Sequence, residues 1–309
     1  MQLPEELQFI LNGRKPQKRT IARFDGKTCI ISGATSGVGL AAARRIAQGG
    51  ADLILVNRNL DKALKVKEEI QGEYGCNVNL FQADFSNLTQ VRDTTEQILD
   101  KYPQIDVLVN NAGIHNNSRQ LTQDGIEMVF CVNHLASFLL TRLLLERIKE
   151  SAPSSILYVN SQGHRFGGLN LEDLNWEKRR YSGYLSYGAS KTAQLMTVWE
   201  LADQLRGTGV TVNAMHPGGV TTNIGMNNGF LYRNYQRYIL FPFLSNPKIS
   251  GEAIYYLIVA PEMEGITGKY YNQTIEEKPA LHSLDREKGK KLWKISEELT
   301  KLAGEAVNE

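Results

Sequence analysis

Thr28-Cys-Ile-Ile-Ser32, Gly33-Ala-Thr-Ser-Gly37-Val-Gly39 and Leu40-Ala-Ala-Ala-Arg-Arg-Ile-Ala-Gln48 follow one another without a break. An apolar run of strand length is joined by a glycine-rich turn to a segment of helical period. The glycines let the backbone turn sharply and lie close to a ligand. A helix starting near Gly37 directs free N–H groups and the positive end of its dipole at an anion. A glycine triplet alone marks any tight turn. Between a strand and a helix that open a strand–helix–strand unit, it specifies a pyrophosphate loop.

The same alternation runs outward from this stretch. After the strand Thr28–Ser32 and helix Gly37–Gln48 come a strand over Leu53–Val56 and a helix around Asp61–Gln71. Val78–Gln82, Val107–Asn110, Ser155–Val159 and Val210–Met215 read as further strands. Leu88–Lys101, about Gly125 to Lys149, and Tyr187–Leu205 read as the helices between them. Short apolar runs alternating with helical segments predict an α/β domain, its central parallel sheet flanked by helices on both faces. The alternation breaks at Gly219–Pro247 (an insertion bounded at about 219–248), which carries Phe230, Tyr232, Tyr235, Tyr238, Phe241 and Phe243. Ser250–Val259 resumes as a helix, Lys269–Tyr271 as a last strand, and about 285–302 as an amphipathic terminal helix. Residues 1–26 form an N-terminal arm whose basic run, Arg14, Lys15, Lys18 and Arg19, reads as solvated. Residues 27–309 form one domain.

A hydrophobic content of 42% and a charged content of 22% place the chain among ordinary globular domains. A formal net charge of +2 is too small for a nucleic-acid partner. Cys29, Cys76 and Cys131 lack paired spacing, so no disulfide framework is expected and a reducing, cytoplasmic setting is. The longest apolar runs, such as Ala253–Ala260, are core-sized, so no integral membrane segment is expected.

Cofactor choice is written at the end of the second strand. An acidic residue there would bind a ribose 2′-hydroxyl, whereas an arginine accommodates a 2′-phosphate. Asn57 and Arg58 stand at that point, with no acid before Asp61. A guanidinium suits phosphate and a carboxylate repels it, so NADP(H) is favoured.

Tyr187 and Lys191 lie one helical turn apart on one face. A free tyrosine, with a pKa near ~10, is a poor acid–base group at neutral pH. A lysine cation beside it stabilises the phenolate and brings it into use. Ser161 ends the fifth strand, where its hydroxyl can enter a cleft at the carboxyl edge of the sheet.

Together these features resemble the short-chain dehydrogenase/reductase family over about Lys27 to Tyr271. The glycine loop looks like that family's Thr-Gly-x-x-x-Gly-x-Gly, with Ser32 where threonine is usual. Asn110-Asn111-Ala112-Gly113 matches its Asn-Asn-Ala-Gly, which buttresses the sheet and lines the adenine ribose. Asp84 matches the acid that contacts the adenine. Pro217-Gly218, with Val220 and Thr222, matches the segment over the nicotinamide. The resemblance implies a doubly wound Rossmann domain binding NADP(H) through Gly33, Ser36, Gly37, Val38, Gly39, Asn57, Arg58, Asp84, Phe85, Asn110, Ala112, Gly113, Tyr187, Lys191, Pro217, Gly218, Val220 and Thr222. It implies a catalytic tetrad of Asn133, Ser161, Tyr187 and Lys191. In carbonyl reduction Ser161 would bind the carbonyl and Tyr187 would donate the proton. Lys191 would tune Tyr187 and hold the ribose, and Asn133 would position a water relaying protons from Lys191. Asn57-Arg58-Asn59, Ser161-Gln162-Gly163-His164, His216-Pro217-Gly218 and Leu292-Trp293 resemble the retinol dehydrogenase-like branch.

The expected reaction interconverts a small-molecule carbonyl and an alcohol, lipophilic or aromatic if the inserted aromatics form a lid. Those aromatics fit a subunit interface or a peripheral membrane contact as well. A non-catalytic NADP(H) sensor and a carbon–carbon double-bond reductase are the alternatives. His164 and His216 lack partners at metal-ligand spacing, so packing roles are expected and no metal is. By analogy with the family, a homo-oligomer, dimer or tetramer, is expected.

Overall fold

Cys29 and Ile31 point to one side of the first strand and Ile30 to the other, and all three are wholly buried. A strand apolar on both faces needs cover on both, which a strand–helix alternation supplies. The computed structural model, which describes residues 12–13, 15–220, 224 and 245–302, has this architecture. The elements are β1 (Thr28–Ser32), α1 (Gly37–Gln48), β2 (Asp52–Asn57), α2 (Leu60–Tyr74), β3 (Val78–Gln82), α3 (Leu88–Lys101) and β4 (Val107–Asn110). They continue with α4 (Ala136–Glu150), β5 (Ser154–Val159), α5 (Gly183–Gln204), β6 (Val210–His216), α6 (Lys248–Val259), β7 (Tyr270–Asn272), β8 (Ile275–Glu276) and α7 (Arg286–Leu299).

The sheet runs β3-β2-β1-β4-β5-β6-β7-β8 and is parallel up to β7. Only β8 pairs antiparallel, with β7. Connections leave β1 in both directions, so a crevice opens between the carboxyl ends of β1 and β4. One core joins Ile30, Ile54, Leu108 and Ile156 to α3, α4, α5 and α7. The other joins Cys29, Ile31, Leu53 and Leu55 to α1, α2 and α6. In α7, Leu292 and Trp293 are buried, with the indole edge-on to Phe138 at 4.9 Å.

Most of the elements read from the sequence stand where expected, and the departures have local causes. α5 begins one turn earlier than Tyr187, because Ser182 caps it by accepting the Leu185 N–H. The helix expected from Gly125 begins at Met128, where Glu127 caps Val129 and Phe130. It then passes through a π-helical turn, Cys131–Leu135, before α4. Together Met128–Glu150 is a 23-residue helix apolar enough to cross a membrane, a longer candidate than Ala253–Ala260. In its most apolar 18-residue window, 83% of the residues are buried within the protein, as in a core helix. The ends of the inserted segment meet, since Val220 bridges Ser245 and Ser245 N–H donates to Gly219 O at 2.9 Å. Thr222 and the six inserted aromatics lie outside the described residues.

The described basic side chains of the N-terminal arm fit the solvated reading, but neighbouring residues of the arm are anchored. Lys15, Lys18 and Arg19 are exposed, and Arg14 lies outside the described residues. Among the described residues of the arm, Asn12, Gln17, Lys18 and Ala22 strap it to the body. Gln17 Oε1 accepts from the Thr274 N–H at 3.0 Å, and Lys18 N–H donates to Thr274 Oγ1 at 2.8 Å. Tyr255 OH donates to Ala22 O at 2.7 Å. Asn12 Nδ2 donates to Glu277 Oε2 at 2.9 Å, and that carboxylate also takes Asn272 Nδ2, Gln162 Nε2 and Arg165 Nη2. Burial alone would raise the Glu277 carboxyl. The bonds from Asn12, Gln162 and Arg165 outweigh it and hold the group below its ordinary range. The Arg165 and Glu277 side chains are only 9% and 3% exposed. Glu277→Ala therefore strands a buried guanidinium and should cost about 3–5 kcal/mol in urea unfolding. A loss below about 1 kcal/mol would contradict the network.

Candidate active site

A cleft of about 1120 Å³ occupies the crevice at the carboxyl ends of β1 and β4. Gly33 and Gly37, with φ of +72° and +57°, give the loop after β1 its turn. The loop is pinned from behind. Asn111 Nδ2 donates to the carbonyls of Ser32 and Gly33 at 2.9 Å, and Ser32 Oγ accepts the N–H groups of Asn111 and Ala112 at 3.0 Å. A Cβ on Gly39 would sit 2.2 Å from Gly33 O and 2.4 Å from Asn111 Nδ2, so only glycine permits this contact. Helices α2, α3, α5 and α7 each begin with a side-chain cap, from Asn59, Asn87, Ser182 and Asp285. Ser36, which begins α1, makes no such bond. The first-turn N–H groups of α1 are thereby left to an anion in the cleft.

At the end of β2, the exposed Arg58 guanidinium reaches over the cleft rim, 3.9 Å from Asp84 Oδ2. Asp84 is held by Ser86, whose N–H and hydroxyl donate to Oδ1 at 2.9 and 2.8 Å. Lys62, in the first turn of α2, lines the same rim. It is a second cation beside Arg58, and its signal in the sequence is the four-residue spacing from Arg58.

At the opposite wall, Tyr187 and Lys191 project from α5 beside Ser161 at the end of β5. Lys191 Nζ lies 5.7 Å from the centre of the Tyr187 ring. Burial raises the Tyr187 phenol, and a hydrogen bond with Ser161 pulls the other way. Burial also pulls the Lys191 ammonium down to about 7. It keeps its charge partly through two oxygens, Val159 O at 3.0 Å and Gln194 Oε1 at 2.9 Å. The catalytic loop can approach α5 because glycines meet there. A Cβ on Gly188 would lie 2.6 Å from Gly163 O, and one on Gly163 would lie 3.1 Å from the Tyr187 ring.

Of the residues singled out from the sequence, all but Asn110, Asn133 and Thr222 line this cleft. Thr222 is outside the described residues. Asn110 stands behind the cleft, its amide turned into the core and donating to Thr141 Oγ1 at 2.8 Å, which supports the sheet. Asn57 reaches the cleft, but its side chain is buried and spends Oδ1 on the Ala34 N–H at 2.7 Å. Asn133 is wholly buried on the π-helical turn, its amide bonded to both backbone groups of Ile114 and to Ser190 Oγ. Its carbonyl accepts Gln194 Nε2 at 2.6 Å, while the single Ser137 hydroxyl proton is shared between Asn133 O at 3.0 Å and His134 O at 2.9 Å. Gln194 thus engages this carbonyl where a relay water was expected. Asn160 was missed: it steadies both neighbours, accepting Ser161 N–H and donating to Lys191 O. A second groove, about 720 Å³, lies between α5, β7–β8 and α7. Arg206 and Arg286 meet Asp203, and Lys269 meets Glu276.

Residues 27–229 match the family described as short chain dehydrogenase. The chain is similar to human retinol dehydrogenase 13, 36% identical over 97% of this chain and 92% of that protein. It is 39% identical, over 88% of this chain and 91% of the relative, to a candidate daunorubicin C-13 ketoreductase, DnrU, from Streptomyces sp. (strain C5). Among solved structures, an uncharacterised protein from Mycobacterium paratuberculosis superposes with a TM-score of 0.75 at 29% identity, covering 93% of this chain and 98% of that one. A short chain dehydrogenase from Burkholderia cenocepacia in complex with NADP has the same fold, with a TM-score of 0.64 at 24% identity, covering 81% and 96%.

The buried histidines are structural. His164 bonds Ser161 O through Nδ1 at 2.7 Å and accepts the Ala280 N–H at Nε2 at 3.1 Å, which fixes its tautomer. His134 Nε2 meets Ser296 Oγ at 2.9 Å between α4 and α7. Burial holds both at about 3. Unfolded, each takes up a proton below about pH 6.5, while folded each stays neutral. Stability fully present above that pH is therefore lost as pH falls towards about 3. The expected slope is about 1.4 kcal/mol per pH unit for each histidine. Urea unfolding at pH 7 and pH 5 should show it, and His134→Gln should flatten it; equal stability at the two pH values would sink the assignment.

Proposed function

Because the chain belongs to the short-chain dehydrogenase family, in its retinol dehydrogenase-like branch, we propose that it is an NADP(H)-dependent oxidoreductase interconverting a lipophilic carbonyl compound and its alcohol. The observation that carries this reading is the convergence of Tyr187, Ser161 and Lys191 on the cleft that also holds the glycine loop. The residues fit the cofactor: an uncapped helix start for pyrophosphate, and Arg58 with Lys62 at the rim for a 2′-phosphate. When bound, the nicotinamide supplies or takes the hydride.

The chain's own groups handle the proton. In reduction, the Ser161 hydroxyl binds the carbonyl oxygen and Tyr187 gives its proton to that oxygen as it becomes an alkoxide. A half-buried phenolate is costly, and the Lys191 ammonium offsets that cost. Lys191 has three N–H donors and spends two, on Val159 O and Gln194 Oε1, leaving one for a ribose hydroxyl. Ile114, Met128 and Val132 give the cleft an apolar wall, which favours a lipophilic substrate. The relatives' names, a retinol dehydrogenase and a C-13 ketoreductase, support alcohol–carbonyl chemistry. Three free cysteines agree with a reducing, cytoplasmic setting.

The test is NADPH oxidation by the purified chain across lipophilic aldehydes and ketones, with product identification. Tyr187→Phe should fold, bind NADPH and lose at least about a thousandfold in kcat, the general-acid contribution being about 10²–10⁴. Wild-type rates in that variant would remove Tyr187 from the chemistry. Arg58→Ala should weaken NADPH binding by about 10–100-fold, the worth of one charged hydrogen bond, and leave NADH nearly unchanged. Equal losses for both cofactors would place Arg58 away from the 2′-phosphate.

A further inference from the structure

Gln194 stands one turn beyond Lys191 on the buried face of α5, and its amide is engaged at both ends. Oε1 accepts Lys191 Nζ at 2.9 Å and Asn160 Nδ2 at 3.2 Å, and Nε2 donates to Asn133 O at 2.6 Å. The orientation is forced, because an ammonium only donates and a carbonyl only accepts. The glutamine is 1% exposed. It bridges Lys191 to Asn133, the link that the family resemblance assigns to a water.

We propose that Gln194 is a positioning residue: its amide replaces that water, anchors Lys191 to the π-helical turn, and sets the charge state of the ammonium that serves Tyr187. The role rests on the carbonyl-reduction reading, while the contact does not. An amide carries no proton between its ends at the speed of a water chain, so Lys191 exchanges protons on the cleft side. Among the described residues, the titratable groups near Lys191 are few. Tyr187 shares its helix, His115 stacks edge-on to Tyr187 at 5.7 Å from the loop after β4, and His216 lines the same cleft from the end of β6. Beside an ammonium with these neighbours, the acceptor that Gln194 supplies is a large part of what favours its charged form.

The experiment reads Lys191 directly. The full chain, labelled with ε-¹³C-lysine, is titrated by NMR with and without NADP⁺, the Lys191 signal being assigned through Lys191→Arg. Gln194→Glu places a carboxylate against the ammonium and should move the Lys191 midpoint up by about one pH unit or more. Gln194→Met keeps the volume, removes the acceptor, and should move it down. Because the two shifts are opposite, either variant suffices if the other melts too early to titrate. In Gln194→Glu the alkaline limb of kcat for carbonyl reduction should move up with Lys191, since a carboxylate there also disfavours the Tyr187 phenolate. An unchanged Lys191 midpoint in every folded variant overturns the proposal, as does a limb that stays fixed while Lys191 moves. If Lys191 responds but the wild-type chain reduces no carbonyl, the contact stands and the carbonyl reading is what fails.

Discussion

A buried ammonium has to be surrounded by oxygen, and the interior of this protein is arranged around that requirement. Lys191 is 3% exposed. The oxygens that it needs come from two elements, the carboxyl end of β5 at Val159 and the next turn of α5 at Gln194. Those contacts require α5 to lie close across the end of β5. Glycine makes this close approach sterically possible, through Gly163, Gly167 and Gly188, where any side chain would strike backbone or the Tyr187 ring. Once the lysine is held there, Tyr187 and Ser161 are brought together by the same two elements. Burial of Lys191 thus fixes how Tyr187 and Ser161 stand to one another.

The glycine loop obeys a parallel constraint on the other side of the crevice. Its backbone must stay open to an anion, so it cannot be stabilised from the cleft. Support comes instead from behind, through Asn111, Ser32 and Asn57, each of which spends side-chain atoms on loop or strand-end backbone. The two halves of the site are therefore rigid for different reasons: one holds a buried charge, the other leaves a helix start uncapped.

Behind the catalytic loop, parts of the chain far apart in sequence meet on one carboxylate. Glu277, just after β8, takes donors from the N-terminal arm at Asn12, from β7 at Asn272, and from Gln162 and Arg165 next to Ser161. His164 ties the same loop to Ala280, and His282 donates to His164 O at 2.8 Å. The arm and the segment after the last strand thus act as a brace for the loop carrying Ser161.

The sequence by itself determined β1 to β7 but not β8, the loop between β1 and α1, and the placing of Tyr187, Lys191, Ser161 and Arg58 around one cleft. Each of these depends on local signals: apolar period, glycine placement, and side-chain chemistry at a fixed spacing along one element. It left undetermined every feature that depends on which atoms face each other across elements. Helical period marks a helix over Cys131–Leu135 but cannot show the π-helical turn that buries Asn133. Asn110 belongs to a motif that reads as cofactor-binding, yet only the packing of α4 on the sheet turns its amide to Thr141. A charged arm with exposed lysines reads as solvated, because its anchors, Asn12 and Gln17, are ordinary polar residues whose partners lie about 260 positions away. Gln194 carries a local hint, being one turn from Lys191. Its role was decided by tertiary structure alone, because a carbonyl on α4's entry turn and an ammonium on α5 happen to stand one amide apart.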